Sequence, residues 1–201
     1  LCTGTFLKGR VVIGDVKYPA GRQGEPSAEK LSDSLVENGI QIDRYQTATP
    51  PRLDKRTIDF SKMEAMYGEE YPRYFSVFTE KEKNSIVPTY LTHTTPNTVS
   101  VAKDMLKYSP IVSGIIETHG PRHCPSLDRK VLNFPDKTDH QIFIEQESED
   151  SNEMYINGLT TAMPPFAQEA MMKTIAGLEN AKIMRHGYAV EYRSEERRVG
   201  K

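Results

Sequence analysis

The hydrophobic and polar positions of this chain alternate between spacings typical of strands and spacings typical of helices. A short apolar run at 10–14 predicts a strand, and leucines repeated on one face of 28–37 predict a helix that ends at Gly39. Residues 40–44 predict the next strand. Residues 1–7 also indicate a strand, one that is entered midway, as if the chain had been cut from a longer protein.

The same alternation continues to residue 192. Thr95 is a favourable N-cap and Pro96 a favourable first helical residue, so a helix with an apolar stripe is predicted to follow them. A second helix is predicted at 165–175, where Gly177 ends it. Further strands are predicted at 88–93, 141–145, 181–184 and 188–192. This mixture of elements predicts the α/β class.

Two segments interrupt the pattern. The adjacent prolines at positions 50 and 51 disfavour helix on both sides, so we place a boundary between one unit at 1–50 and another at 51–192. Residues 193–201 are a charge run without periodicity, and we expect them to be a foreign or disordered tail.

Composition limits the classes of function. The chain has 201 residues, a formal net charge of −2 and no apolar run long enough for a membrane span. A surface that grips RNA phosphates is usually basic, so this chain is not expected to provide the main RNA-binding surface. Its two cysteines cannot form a disulfide framework, which favours a reducing compartment. The spacing of His119, His123, Cys124 and His140 fits no standard zinc pattern, and no metal site is predicted.

The segment around Cys124 carries the strongest candidate chemistry. Pro125 is favoured at the start of a helix, which would place Cys124 at or near an N-cap. There the helix dipole and the nearby Arg122 would favour the thiolate, the form that attacks an electrophilic carbon. The glycine and proline turn before that helix is also suited to approach a phosphate, with Arg122 as its partner. The alternative is a small buried cysteine in a proline-flanked turn.

A glycine-rich loop at 20–26 carries a single arginine, Arg22. Such a loop allows backbone to come close to a ligand, and Arg22 is placed to meet a phosphate or a flavin edge. The alternative is an ordinary surface turn. The methionines at 163, 171, 172 and 184 are expected to fill the core.

A series of segments spreads over residues 1–192 in a recognisable order. They are LCTGTFLKGRVVIG at 1–14, YPAGRQGEP at 18–26, TATPPRLD with TIDFS at 47–61, GPRHCPSLDRK at 120–130, NGLTTAMP at 157–164 and GYAVEY at 187–192. Together they resemble motifs of the glucose-inhibited division protein A family, also called MnmG. The chain departs from those motifs at Gln46 and His123, where the family usually has lysine and tyrosine, and at Ala28, where a serine is often expected.

The resemblance implies the domain organisation. Residues 1–50 would be the edge of a Rossmann-like FAD-binding domain. Residues 51–192 would be an α/β nicotinamide-binding insertion domain that returns toward the FAD domain near its end. The family's N-terminal flavin fingerprint and its helical C-terminal domain have no counterpart in the chain.

The resemblance also implies an activity. The family's enzymes use FAD, NADH and methylenetetrahydrofolate to add an aminomethyl or carboxymethylaminomethyl group to carbon five of the wobble uridine of tRNA. They act with a GTPase partner, MnmE, and are expected to be homodimers that bind tRNA mainly through parts absent from this chain. The expected location is the bacterial cytoplasm, or the mitochondrion if the source is eukaryotic, and no membrane association is expected.

The family's site residues carry over by motif. Cys124 takes the place of the catalytic thiol that adds to the uracil ring and makes carbon five nucleophilic. Arg22 takes the place of a flavin contact. The nicotinamide-binding stretch carries over to Gly120, Pro121, Arg122, His123, Cys124, Pro125, Ser126, Leu127, Asp128, Arg129, Lys130, Val131, Leu132, Asn133 and Phe134.

The same residues also allow two other classes of function. One is a dinucleotide-binding module without catalytic activity. The other is a thiol-dependent flavin oxidoreductase that uses Cys124 for redox chemistry alone. The second normally needs a resolving cysteine, and Cys2, in its predicted strand, is a poor candidate.

Overall fold

The part of the chain that the structure describes forms ten strands and four α-helices. A computed structural model describes residues 1–70, 74–79, 87–118 and 126–195. The strands are β1 (Arg10–Ile13), β2 (Val16–Pro19), β3 (Ile42–Thr49), β4 (Arg52–Asp54), β5 (Glu64–Met66), β6 (Thr89–His93), β7 (Gln141–Gln146), β8 (Glu153–Asn157), β9 (Ile183–Arg185) and β10 (Tyr188–Glu195). The helices are α1 (Leu31–Glu37), α2 (Pro96–Met105), α3 (Leu127–Asn133) and α4 (Pro165–Met172).

The strands form two antiparallel sheets. The first has the order β2-β1-β10-β3, so the last described strand lies between strands from the first fifty residues. The second has the order β5-β6-β7-β8-β4-β9. The chain therefore leaves the first sheet after β3, passes through Pro50 and Pro51 into β4, and returns through β10. The predicted α/β mixture is confirmed, and the change of sheet falls at the predicted prolines.

The helix α2 begins as its sequence predicts. The Thr95 side chain accepts a hydrogen bond from the Thr98 amide, and the Thr98 side chain accepts one from the Thr95 amide. Pro96 follows the cap and already has the backbone angle that a helix requires. The helix packs against α4. None of the helices among the described residues is long and apolar enough to cross a membrane.

The largest hydrophobic core lies between the second sheet and its helices. It includes Ile142, Ile144 and Ile156 from the strands and Leu127 from α3, each fully buried. The methionines at 163, 171 and 172 are buried in it, which confirms the expectation for these three. Met184 is 46% exposed, because it lies on the short edge strand β9, so it was wrongly assigned to the core.

One buried glutamine ties α4 to the residue that precedes β10. Gln168 on α4 donates hydrogen bonds to the backbone oxygens of Met163 (2.7 Å) and Gly187 (2.8 Å) and accepts one from the Gly187 amide (2.7 Å). Gly187 lies at the entry to β10, where a Cβ atom would stand 2.8 Å from the backbone oxygens of both Thr161 and Thr49. Any side chain at position 187 would therefore push the strands apart.

Both ends of the chain differ from the prediction. Residues 1–7 form a turn with a single bridge from Leu7 to Ala28, and the first strand begins only at Arg10. At the other end, β10 continues to Glu195, and the Arg193 amide donates a hydrogen bond to the Leu7 oxygen (2.7 Å). The predicted tail therefore begins too early, because β3 offers the backbone of 193–195 a complete pairing edge. Residues 196–201 lie outside the described part.

Candidate functional site

The predicted cysteine loop lies between two well-anchored segments. Residues 119–125 are outside the described part of the chain. This gap contains the predicted site residues Gly120, Pro121, Arg122, His123, Cys124 and Pro125, and also His119. The structure describes the residues on each side of this gap and the contacts that hold them.

The anchor after the loop is the first turn of α3. Ser126 is its N-cap, with a side chain that accepts a hydrogen bond from the Arg129 amide (3.3 Å). The Leu127 amide donates to the Thr160 oxygen (2.8 Å), which ties the helix to the segment after β8. The helix thus begins two residues later than Pro125 predicts, because a serine hydroxyl caps a helix better than a cysteine thiol. Cys124 comes two positions before this N-cap in the sequence and lies outside the described residues, so the predicted dipole contribution to its thiolate stays a prediction.

The anchor before the loop is the carboxylate of Glu191 in β10. It accepts hydrogen bonds from the Glu117 amide (3.0 Å) and the Thr118 hydroxyl (3.3 Å), the last residues described before the loop. Its side chain is fully buried. Strand β10, an inner strand of the first sheet, therefore holds the last two residues before the gap in place.

Two cations balance the buried Glu191 charge. Lys17 Nζ lies 2.5 Å from one carboxylate oxygen and also donates to the Ile115 oxygen (3.2 Å), while Arg44 lies 3.8 Å away. Burial by itself would raise the pKa of Glu191. The hydrogen bond and charge of Lys17, with the Glu117 amide and Arg44, outweigh burial and hold that pKa below its ordinary value.

A second buried acid lies just after the loop. Asp128 on α3 is fully buried, and burial raises the pKa of its carboxyl. The hydroxyls of Thr161 and Ser109 partly offset that rise, although neither carboxylate oxygen has a partner with hydrogen-bond geometry among the described residues. A buried acid with a raised pKa holds its proton over a wider pH range than an exposed one.

The described residues of the predicted nicotinamide-binding stretch fall into a buried group and an accessible group. Leu127 and Val131 point into the main core, with 0% and 2% of their surface exposed, and are occupied by packing. Leu132 and Phe134 are exposed at 45% and 59%. The other accessible members of the stretch are Arg129, Lys130 and Asn133.

Lys130 lines a cavity of about 660 Å³ at one end of the second sheet. Its ammonium group donates to the Gly158 oxygen (3.2 Å). Burial, followed by the charge of Lys137, lowers the pKa of Lys130. Gly158 has a positive φ of 105°, and a Cβ there would lie 2.5 Å from the Gln141 oxygen, so only glycine fits this wall of the cavity.

The Arg22 loop is a closed turn on the surface. The Gly21 amide donates to the Glu25 oxygen (2.9 Å), and the Thr5 hydroxyl donates to the Gly21 oxygen (2.6 Å). The Arg22 guanidinium pairs with the Glu25 carboxylate (2.9 Å) and lies over the Phe6 ring, yet 61% of its side chain stays exposed. Arg22 is therefore accessible to a ligand from outside the chain.

No group of three or more histidine, cysteine or acidic side chains in the described ranges is arranged to hold a metal ion. His140 lies in the wall of the Lys130 cavity. Cys2 is exposed at the other end of the chain.

Comparison with known proteins decides the family. The family model for "Glucose inhibited division protein A" matches residues 1–198. This chain belongs to that family. The family match extends past residue 193, in agreement with the observed length of β10.

Individual members of the glucose inhibited division protein A family are similar to the chain over nearly its whole length. It is 73% identical over 192 residues to "tRNA uridine 5-carboxymethylaminomethyl modification enzyme MnmG 1" of Fusobacterium nucleatum, covering 96% of this chain and 31% of the relative. A Clostridium kluyveri protein of the same name, without the final numeral, is 48% identical over the same shares. The chain thus spans 31% of the length of these relatives.

Solved structures of the family agree with the fold. Two crystal forms of GidA from Aquifex aeolicus superpose with TM-scores of 0.86 and 0.84, at 44% and 42% identity. Each covers 96% of this chain, and this chain covers 33% and 31% of theirs. The two-sheet α/β arrangement is therefore a family arrangement, consistent with part of a Rossmann-like FAD-binding domain.

Sequence patterns do not identify several residues of the site. Glu191 is a single acid within the short strand predicted at 188–192, and its partner Lys17 is far away in sequence. Asp128 was predicted as a cofactor contact, but nothing in its sequence neighbourhood indicates complete burial. A charged residue at an inward-facing strand position was the one available signal for Glu191.

Proposed function

We propose that this chain is the thiol-bearing part of a flavin-dependent enzyme that modifies carbon five of the wobble uridine of tRNA. The observation that carries the proposal is the family match over residues 1–198, together with relatives named for tRNA uridine 5-carboxymethylaminomethyl modification. The proposal includes FAD, NADH and methylenetetrahydrofolate, the GTPase partner MnmE, a homodimer and a cytoplasmic location. It divides the chain into an FAD-domain edge at 1–50 and a nicotinamide-binding insertion at 51–192.

The proposed role of Cys124 is nucleophilic. Its sulfur adds to the ring carbon next to carbon five, and carbon five then carries the electron density that attacks the one-carbon unit. At the end of the reaction carbon five gives up its hydrogen as a proton to a base, the thiolate leaves the neighbouring ring carbon, and the ring double bond returns. The anchors at Glu191 and Ser126 support this role, because they fix both ends of the seven-residue gap that contains the cysteine.

Asp128 has a proposed part in proton handling. It is buried two residues after the N-cap serine, and burial raises the pKa of its carboxyl. A carboxyl group whose pKa burial raises holds its proton to higher pH than an exposed aspartate, which suits it to donate a proton during catalysis. No other fully buried acid lies in α3 or in the described residues next to the loop on that side.

The described residues fit the two proposed cofactors in part. The Arg22 loop suits a flavin contact because its guanidinium is exposed and a Cβ at Gly24 would meet nothing within 4 Å, which leaves room for a ligand. The exposed face of α3 suits a nicotinamide cofactor through Lys130, Asn133 and Phe134. When bound, FAD supplies the redox chemistry, and the residues of this chain supply orientation, the thiol and protons.

The test is a chimaera. Residues 1–192 replace the matching segment of the Fusobacterium nucleatum relative, and the chimaera is expressed in bacteria that lack their own enzyme. We expect flavin absorbance in the purified protein and restored wobble-uridine modification, measured by mass spectrometry of tRNA nucleosides. A chimaera that folds and binds flavin but oxidises NADH without modifying tRNA would refute the proposal and favour a thiol-dependent oxidoreductase. The unaltered relative is the positive control.

A further inference from the structure

The cavity beside α3 is built from the ends of three strands. It lies where β6 ends, β7 begins and β8 ends, and its volume is about 660 Å³. The side chains that matter are His93, Lys130, Lys137, His140, Phe143 and Asn157. It opens near the C-terminal half of α3, away from the end of the helix that follows Cys124.

The cavity holds positive charge that the chain does not neutralise. Neither Lys130 nor Lys137 forms an ion pair with any described carboxylate. The one acid in the wall, Asp139, is 76% exposed and lies 3.9 Å from His93. Two cations in one concave site with a single acid at the rim attract an anion, because the walls focus the field into the cavity.

His140 supplies a buried group without a partner. Only 5% of its surface is exposed, and its Nε2 atom has no hydrogen-bond partner in the described ranges. Buried polar atoms are nearly always hydrogen-bonded, so an unpartnered one in a cavity wall indicates that a ligand completes it. The His140 amide donates a hydrogen bond to the Thr94 hydroxyl (2.9 Å), and the His140 oxygen accepts one from the Thr94 amide (2.9 Å), so the backbone that carries the ring is fixed.

The charges in the cavity destabilise one another. Burial, then Lys130 and Lys137, lowers the pKa of His140, and burial, then Lys137, lowers the pKa of Lys130. Asp139 and the backbone of Lys137 act in the opposite direction on His140 without reversing the result. A bound anion would remove this repulsion and raise both pKa values.

We propose that this cavity binds the phosphate group of a small, nucleotide-sized phosphate ester. Phosphate is favoured because Lys130 and Lys137 offer donors to one group with several acceptor oxygens, and the unpartnered Nε2 atom of His140 lies in the same wall. Phe143 and the Asn157 amide line the same space and suit an aromatic ring that carries polar atoms. An RNA backbone fits less well, since the site is concave and the whole chain carries a net charge of −2. The proposal does not rest on the flavin-dependent function.

The experiment titrates AMP into the 201-residue chain, followed by calorimetry and by the imidazole NMR signals, with His140→Gln used to assign the His140 ring. We expect saturable binding that shifts the His140 signal and becomes tighter as the pH falls, because the complex binds a proton more strongly than the free site. Lys137→Gln, at an exposed position, should weaken AMP binding by about tenfold, the effect of one charge-assisted contact. The matched control is Lys173→Gln, which removes an exposed lysine outside the cavity and should change binding by no more than about twofold.

Three results would overturn the proposal. They are no AMP binding at millimolar concentration, an equal loss of affinity in Lys137→Gln and Lys173→Gln, or an oligoribonucleotide that binds the same residues more tightly than AMP. Competition by NADH distinguishes the sources of the phosphate. Displacement of AMP would assign the cavity to the nicotinamide cofactor, and coexistence would assign it to a separate phosphate ester.

Discussion

At the scale of single residues, Glu191 connects the sheet to the candidate active-site loop. Its carboxylate binds the Glu117 amide and the Thr118 hydroxyl while Lys17 neutralises its charge. The sequence predicts the strand on which Glu191 lies, because 188–192 is a short run rich in apolar and aromatic residues. It does not predict the contacts, since each partner comes from a segment that only the tertiary fold brings near.

We expect Glu191→Gln to lower the free energy of unfolding by about 2 kcal/mol near neutral pH, since the partly buried Lys17 ammonium loses its counter-charge and the hydrogen bonds to the buried carboxylate weaken. The folded pKa of Glu191 lies below the ordinary 4.5, so its stabilisation is present above that pH and is lost as the pH falls through the folded value. The difference in free energy of unfolding between the unaltered protein and Glu191→Gln should therefore become smaller in acid. Urea unfolding near neutral pH and well below pH 4.5 measures it, with exposed Glu37→Gln as the control. A difference of the same size at both pH values would contradict the assignment.

At the scale of elements, local signals predict most of the strands and helices but not how they pair. Thr95 and Pro96 predict the start of α2 correctly, because capping depends on neighbours within one turn. The order β2-β1-β10-β3 pairs residues near position 10 with residues near position 190, and no local pattern encodes that choice. The start of α3 was misplaced because two local signals compete, a proline at 125 and a serine at 126, and the serine provides the cap.

The contact between α4 and β10 depends on Gln168. Gln168→Ala leaves two backbone oxygens and one amide unpaired in the interior, so we expect a loss of about 3 kcal/mol in the free energy of unfolding. Gln23→Ala, at an exposed loop position, is the control and should change stability by less than about 0.5 kcal/mol. Chemical denaturation of the two variants gives the comparison. Equal free energies of unfolding for the two variants would show that the buried Gln168 amide does not hold α4 against the start of β10.

At the scale of the whole molecule, the chain is a segment with its own large core that matches 31% of its named relatives. The family could be predicted from the sequence because six motifs occur in order, and the fold follows from the family. The Lys130 cavity could not be predicted, because its charged residues come from α3, from the loop before β7 and from the end of β6. Its chemistry appears only when those elements are placed together.

The proposed role of Cys124 as the nucleophile toward the uracil ring is tested in the chimaera with the Fusobacterium nucleatum relative. Cys124→Ser keeps the size of the side chain but replaces the thiol with a much weaker nucleophile. Cys2→Ser is the matched control, because it makes the same change at an exposed cysteine. The measurement is wobble-uridine modification at matched flavin content. We expect Cys124→Ser to abolish modification and Cys2→Ser to retain it, and near-normal modification by the Cys124→Ser protein would exclude Cys124 as the nucleophile.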